Sequence, residues 1–386
     1  MLPFPAAAEG FAVQNTGTRV VMRAGATADL AREVGALGCT RLMLVCGPRT
    51  RAGGVFAQVQ AALGPLAVAV YDRVVEHSST QGVTEAARLA RAERIDGLVA
   101  VGGGSASDTA KGIAIVLAEG EPIARHASRF EPPDRFFPTE LPNPKIPVIA
   151  VPTTASAAEV TPGLGIRNDE GKKLLFWDVK LACRLIVLDP QANLEVPAAV
   201  MATTGMNGFA HCAEGLYSRL RNPVSDAIAL HGIRLFALAL PAMVREPASV
   251  EHRAQVLTAA HLSGMVISNA RVGIHHAVCH CLGARGGLAH GVANSIMLPH
   301  AFAYNRDAAA PALAAIAEAM GAGDAVEAVR RLQRETGVPS RLRDTGLDRA
   351  LLPAIAEDTL RDRGLFFNPR RTADAAPILD MLEQAW

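Results

Sequence analysis

Five short apolar runs in the first half of the chain, at 41–46, 66–71, 97–101, 146–151 and 185–188, show no polar alternation. A strand wetted on one face alternates apolar with polar residues; a strand covered on both faces does not. The runs therefore call for a parallel sheet buried between two layers. Between them, segments such as 54–63 and 83–94 place apolar residues at the 3.6-residue spacing of amphipathic helices. Alternating strand and helix is an α/β pattern, here doubly wound.

After Asp189-Pro190 the texture changes. Ala, Leu, Met, Glu and Arg recur at helical spacing from residue 197 onward, and few β-branched runs remain. Asn222-Pro223, Glu246-Pro247, Asn305 and Val338-Pro339 punctuate this half as helix boundaries. The 386 residues thus divide into an α/β unit, 1–190, and an all-helical unit, 191–386. Six prolines without periodicity at 127–147 read as a loop or excursion inside the first unit.

The run at 97–101 leads straight into Gly102-Gly-Gly-Ser-Ala-Ser-Asp-Thr-Ala-Lys111, followed by an apolar helix. Three glycines at a strand-to-helix turn let the backbone approach a ligand. The helix N-terminus then presents free N–H groups and a positive dipole end to a phosphate. The sequence is neither Gly-x-Gly-x-x-Gly nor a Walker A motif. A second polar turn, Pro152-Thr153-Thr154-Ala-Ser-Ala-Ala-Glu159, follows the next strand, and its hydroxyls suit a ribose or a nicotinamide. Lysine is confined to positions 111, 145, 172, 173 and 180, which makes Lys111 and the Lys172-Lys173 pair stand out.

In the second half, His275, His276 and His280 lie within six residues, and His290 follows ten positions after His280. His276 and His280 are spaced i, i+4 and project from one helical face. Gly283, Gly286 and Gly287 then let the chain turn so that His290 swings back to the same spot. Imidazole is both the commonest metal ligand and the side chain suited to proton transfer near neutral pH.

Composition narrows the partners. A net charge of +1 and 4% aromatics give no electrostatic or stacking footprint for nucleic acid or an anionic membrane. Six scattered cysteines with no C-x-x-C pair suit reduced thiols in a cytoplasmic protein. The opening Met1-Leu-Pro-Phe-Pro lacks a secretory pattern, and no uninterrupted apolar stretch approaches the ~18 residues of a membrane span.

Together these motifs resemble the iron-containing alcohol dehydrogenase superfamily, including its maleylacetate reductase branch. The resemblance runs through Gly102–Ser105, Asp108 and Lys111, Val151-Pro-Thr-Thr154, Glu159 and Leu188-Asp-Pro190. It continues through Thr204-Gly-Met-Asn-Gly-Phe-Ala-His-Cys-Ala-Glu214, the histidine cluster, Leu298-Pro-His-Ala-Phe-Ala-Tyr-Asn305 and Asn368-Pro-Arg370. It implies a dinucleotide-binding α/β domain and an all-α metal and substrate domain, the dehydroquinate synthase-like architecture, with the active site in the cleft between them.

The resemblance also implies roles. NAD or NADP is held by Gly47, Arg49, Gly102, Gly103, Gly104, Ser105, Asp108, Thr153, Thr154 and Lys173. Relatives that prefer NAD carry an aspartate after the strand ending at Cys46; Gly47 stands there, and Arg49 suits a 2′-phosphate. A divalent Fe or Zn is held at Asn207, His211, His276 and His290, with Asn207 in place of the family's aspartate. A carboxamide offers only a dipole where a carboxylate neutralises charge, so the metal is held more weakly. His280 and His276 are the catalytic candidates, with His280 beside nicotinamide and substrate as the proton-transfer group.

Asn207 and the string His275 to His280 are similar to the maleylacetate reductase branch, generally regarded as not needing the metal. His290-Gly-Val-Ala-Asn-Ser-Ile is similar to the alcohol dehydrogenase form. Arg285 or Arg271 is available to pair with a substrate carboxylate. The expected activity is NAD(P)-dependent hydride transfer to a small alcohol or carbonyl, with maleylacetate reduction as the alternative. A cyclising lyase resembling dehydroquinate synthase requires a glutamate beside His211, which the reading does not find. A degenerate nucleotide-binding scaffold is argued for only by Asn207. A homodimer or larger homo-oligomer is the expected assembly.

Overall fold

A computed structural model describes residues 10–131 and 135–386; the reading of the first five residues falls outside this range. Its strands are β1 (Arg19–Met22), β2 (Leu42–Val45), β3 (Ala67–Tyr71), β4 (Gly97–Gly102), β5 (Arg129–Glu131), β6 (Arg135–Phe137), β7 (Val148–Pro152), β8 (Gly163–Arg167), β9 (Lys173–Trp177) and β10 (Leu185–Leu188). Six of them form one sheet in the order β1-β10-β7-β4-β2-β3, with every neighbouring pair parallel. The interior strands β2, β4, β7 and β10 are buried at every residue, which is the physical reason for their unbroken apolar character.

The chain steps outward from β2 to β3 and then returns to β4 on the other side of β2. The switch point therefore lies between the C-terminal ends of β2 and β4, where open α/β sheets take ligands. The apolar runs fall on β2, β3, β4, β7 and β10. Edge strand β1 has no such run and was not read from the sequence; it pairs with β10 from Arg19 with Leu185 to Met22 with Leu188. Two antiparallel hairpins were also not foreseen. One, β5–β6, lies in the proline-rich stretch, where 132–134 fall outside the described residues; the other is β8–β9.

The second half is mostly helical. Helices Ala198–Tyr217, Pro223–Arg245 and Val250–Ala270 pack around Met206, Phe209, Leu216, Ile233, Phe236, Leu240 and Val256. Asn222 caps the second of these with a reciprocal capping box, as the Asn-Pro punctuation foretells. By length and composition this helix is apolar enough to cross a membrane, with a mean hydropathy of 1.8. Its Ile233, Phe236, Leu240 and Met243 are packed in the helical core.

Asp189 explains the Leu-Asp-Pro junction. Its buried carboxylate accepts from Gly25 N (2.9 Å), Thr27 N (3.0 Å), Gln191 N (3.1 Å) and Ala192 N (3.2 Å). One side chain thus ties the end of the sheet to the start of the helical half.

Candidate active site

At the end of β4, Gly102 has a φ of 142°, a conformation that favours glycine. Gly103 is the N-cap of helix Gly104–Glu119. A Cβ on Gly103 would lie 3.2 Å from Thr154 Oγ1, and one on Gly104 would lie 3.2 Å from Ser156 Oγ. The turns after β4 and β7 therefore press together, and Thr153 N donates to Gly102 O at 2.9 Å. The first amides of the helix, which have no intrahelical acceptor, open onto the switch point. Gly47 caps the short helix Pro48–Arg51 at the end of β2, and Arg49 is exposed with no ion pair among the described residues.

Ser105 and Asp108 serve this turn from inside. Ser105 Oγ accepts from His77 N at 3.1 Å, and its carbonyl accepts from Ser78 Oγ at 2.9 Å. These bonds hold His77 and Ser78 at φ 64° and 45°, two successive residues in a strained conformation. Asp108 accepts from Gly165 N at 3.2 Å, and burial raises its carboxyl pKa. Lys111 does not face a phosphate. Its fully buried ammonium donates to the carbonyls of Ala158 (2.6 Å), Thr161 (2.6 Å) and Gly163 (3.0 Å), stapling the β7–β8 connection.

Across the cleft, Asn207 and His211 lie one turn apart on helix Ala198–Tyr217, and His276 and His280 one turn apart on helix Ile274–Gly286. Gly287, left-handed at φ 68°, reverses the chain so that His290 opens the next helix beside them. Ring centroids are 4.8 Å apart for His211 and His276, 5.7 Å for His276 and His290, and 5.8 Å for His280 and His290. The structure thus brings these sequence-predicted histidines together.

His276 Nδ1–H donates to Glu214 Oε2 at 2.5 Å, and its Nε2 lies 3.1 Å from Asn207 Oδ1. The Asn207 amide nitrogen is taken by Ser156 O at 3.3 Å, which turns the amide oxygen towards His276. Burial pushes His276 down to about 4 despite the raising effect of Glu214, so Nε2 carries a lone pair at neutral pH. Two lone pairs then face each other, an arrangement that a bound cation relieves. Burial, reinforced by His276, keeps His211 neutral, and burial reinforced by Lys173 does the same for His290. Neutral imidazoles are the form a divalent ion needs, so the chemistry of these donors suits a metal.

Glu214 is a residue the sequence reading left without a role. With His275 and His276 it forms a group whose possible ligating atoms lie within 4.8 Å of one another. Burial would raise its carboxyl, but hydrogen bonds with His275 and His276 hold it well below the usual carboxylate range. It accepts from His275 N at 3.0 Å and sits on the Nδ1 side of His276, away from Asn207. A glutamate therefore does reach the cluster, but as an orienting carboxylate behind a histidine.

The two sides meet at a cavity of about 10 Å³ lined by His77, Arg167, Lys173, His280, Gly283 and His290, among others. Arg167 donates to Gly283 O at 3.2 Å, and neither Arg167 nor Lys173 has a carboxylate within 4.0 Å among the described residues. Burial lowers the Lys173 pKa; burial with Lys173 and Arg167 nearby brings His77 down to about 4. The arginines singled out from the sequence do not line this cavity. Arg285 pairs with Asp358 at 2.6 Å, and Arg271 lies 3.9 Å over the Trp177 ring. Nothing local in the sequence marked His77 or Arg167: no glycine, proline or asparagine precedes the positive-φ pair His77-Ser78.

A glycine-lined strand end at a sheet switch point, facing clustered neutral imidazoles, defines a two-part oxidoreductase. Residues 17–190 match the family model for iron-containing alcohol dehydrogenase, and residues 201–386 match the model for that family's C-terminal part. The chain belongs to the iron-containing alcohol dehydrogenase family. It is 32% identical over 369 residues to a maleylacetate reductase of Burkholderia cepacia, covering 95% of each chain. It is 35% identical over 317 residues to a 1,3-propanediol dehydrogenase of Klebsiella pneumoniae, covering 79% of this chain and 80% of that one. The structure of a 1,3-propanediol oxidoreductase superposes with a TM-score of 0.89 at 32% identity, covering 95% and 97% of the two chains.

Proposed function

We propose that the chain catalyses reversible hydride transfer between NAD(P)(H) and a small carbonyl or alcohol, with carboxylated substrates preferred. One observation carries this reading: the cations Arg167 and Lys173, with no carboxylate within 4.0 Å among the described residues, share a cavity with His77, His280 and His290. Gly102, Gly103, Gly104 and Ser105 would hold the pyrophosphate, supported from beneath by Asp108; Thr153, Thr154 and Lys173 would hold the ribose and nicotinamide. Gly47 and Arg49 would take the adenosine end, where an exposed arginine with no ion pair among the described residues favours NADP. A nicotinamide bound here supplies the hydride, and a divalent ion on Asn207, His211, His276 and His290 supplies Lewis-acid polarisation. His280 holds the proton at the carbonyl oxygen, His276 is fixed by Glu214, and Arg167 orients the substrate carboxylate beside the cofactor-binding Lys173.

The remaining features follow from the same reading. The division at 1–190 and 191–386 is supported by the sheet ending at Leu188 and by the Asp189 clasp. Six free cysteines support a reducing, cytoplasmic setting. Exposed Leu220, Val224 and Leu238 offer apolar surface to a second copy in a homodimer or larger assembly.

The second reading, reduction of the conjugated double bond of maleylacetate, is favoured by Asn207 at the metal position. Metal analysis with NADH and NADPH oxidation before and after exhaustive chelation separates the two. The leading reading expects loss of Fe or Zn to abolish aldehyde reduction. Full activity after chelation, with maleylacetate preferred over aldehydes, overturns it.

A further inference from the structure

His280 is held by a residue 82 positions away. Its Nδ1 lies 2.8 Å from Asp362 Oδ2, and the other carboxylate oxygen of Asp362 accepts from Gly364 N at 2.7 Å. The two bonds lock the carboxylate on both sides. Burial opposes ionisation of Asp362, but the neighbouring His280 and the Gly364 amide bring it down to about 2, so it is an anion throughout the working range. An anion can only accept, so the His280 proton sits on Nδ1. Nε2, which has no partner among the described residues, is left as the exchanging atom of a ring that lines the cavity with Arg167, Lys173 and His290.

We propose that Asp362 is the positioning residue for proton transfer by His280. It fixes one tautomer and one ring orientation, and it stabilises the imidazolium formed when Nε2 takes the proton released from a hydroxyl. In the reductive direction Nε2–H returns that proton to the carbonyl oxygen as hydride reaches the carbon, and His280 ends neutral with its proton on Nδ1, still hydrogen-bonded to Asp362. Asp362 also lines a second cavity of about 160 Å³, together with Ser128, Phe130, Lys173, Arg361 and Arg363. Its carboxylate can therefore be replaced by a small anion from outside.

The inference rests on the hydride-transfer reading, and the experiment keeps the two apart. Asp362→Asn in the full chain would present an amide N–H to Nδ1 and favour the other tautomer. The expected result is a fall in kcat on the order of 10²-fold, with KM for NAD(P)H and carbonyl little changed. Because Asp362 acts through His280, His280→Gln and the double variant should be equally slow, whereas independent structural effects would multiply. Asp362→Ala should regain part of its kcat in formate but not in chloride of equal ionic strength; this arm holds even if the asparagine variant fails to fold. An unchanged kcat in Asp362→Asn, multiplicative losses in the double variant, or no formate rescue overturns the positioning role. Wild-type protein that oxidises no NAD(P)H with any carbonyl instead overturns the hydride-transfer reading.

Discussion

Arg167 and Lys173 bring two cations next to His280 and leave them unpaired by any carboxylate within 4.0 Å among the described residues. Removing one charge-assisted hydrogen bond to a substrate carboxylate costs about 1.4 kcal/mol or more, which is about tenfold. Arg167→Leu should therefore raise KM for a carboxylated aldehyde about tenfold and leave KM for its uncharged analogue unchanged. Steady-state kinetics on the two substrates checks this, and equal effects on both would remove Arg167 from substrate recognition. At this scale the sequence reveals the histidines that cluster but not the side chains that contact them from afar. His276, His280 and His290 are legible because they fall on two helices adjacent in the chain. Asp362, 82 positions from His280, and Arg167, 116 positions from the Gly283 carbonyl it contacts, are joined only by the fold.

The β7–β8 connection shows how an element can carry a cost. Lys111 pins its carbonyls, and inside it Glu159 is buried, with burial raising its carboxyl from 4.5 to about 7 and Asp108 adding to that against Lys111. The folded state thus holds this proton more tightly than the unfolded chain does. The stabilisation is complete below the unfolded value near 4.5 and is lost as pH rises through about 7. Glu159→Gln cannot lose a proton, so it should gain stability relative to wild type between pH 5 and pH 8, by on the order of 1–3 kcal/mol. Urea unfolding at the two pH values measures the change; a wild-type-to-variant difference that does not move with pH would contradict it. Elements were legible where burial is uniform, as in β2, β4, β7 and β10. Strands β1, β5 and β9 have mixed exposure, which weakens the signal although edge strand β3 was read despite it, and buried β8 carries two glycines, Gly163 and Gly165, that break its apolar run.

For the whole molecule, the sheet positions a turn and the helices position histidines, but the site exists only where they meet. Hairpin β8–β9 is the bridge: it grows from the sheet half, hydrogen-bonds to Asp108 below the glycine turn, and delivers Arg167 and Lys173 to the histidines. The change of texture at Asp189-Pro190 made the two halves readable in advance. The bridge was not readable, because its function lies in reaching across them. On the function proposed above, this junction reduces a small carbonyl held by its carboxylate. The most direct test is kcat/KM for NADPH and NADH oxidation with a matched pair, succinic semialdehyde and butanal. Turnover of both is expected, with the acid favoured about tenfold or more, the worth of one charge-assisted contact. Equal or better use of butanal, or no oxidation with either, would contradict it.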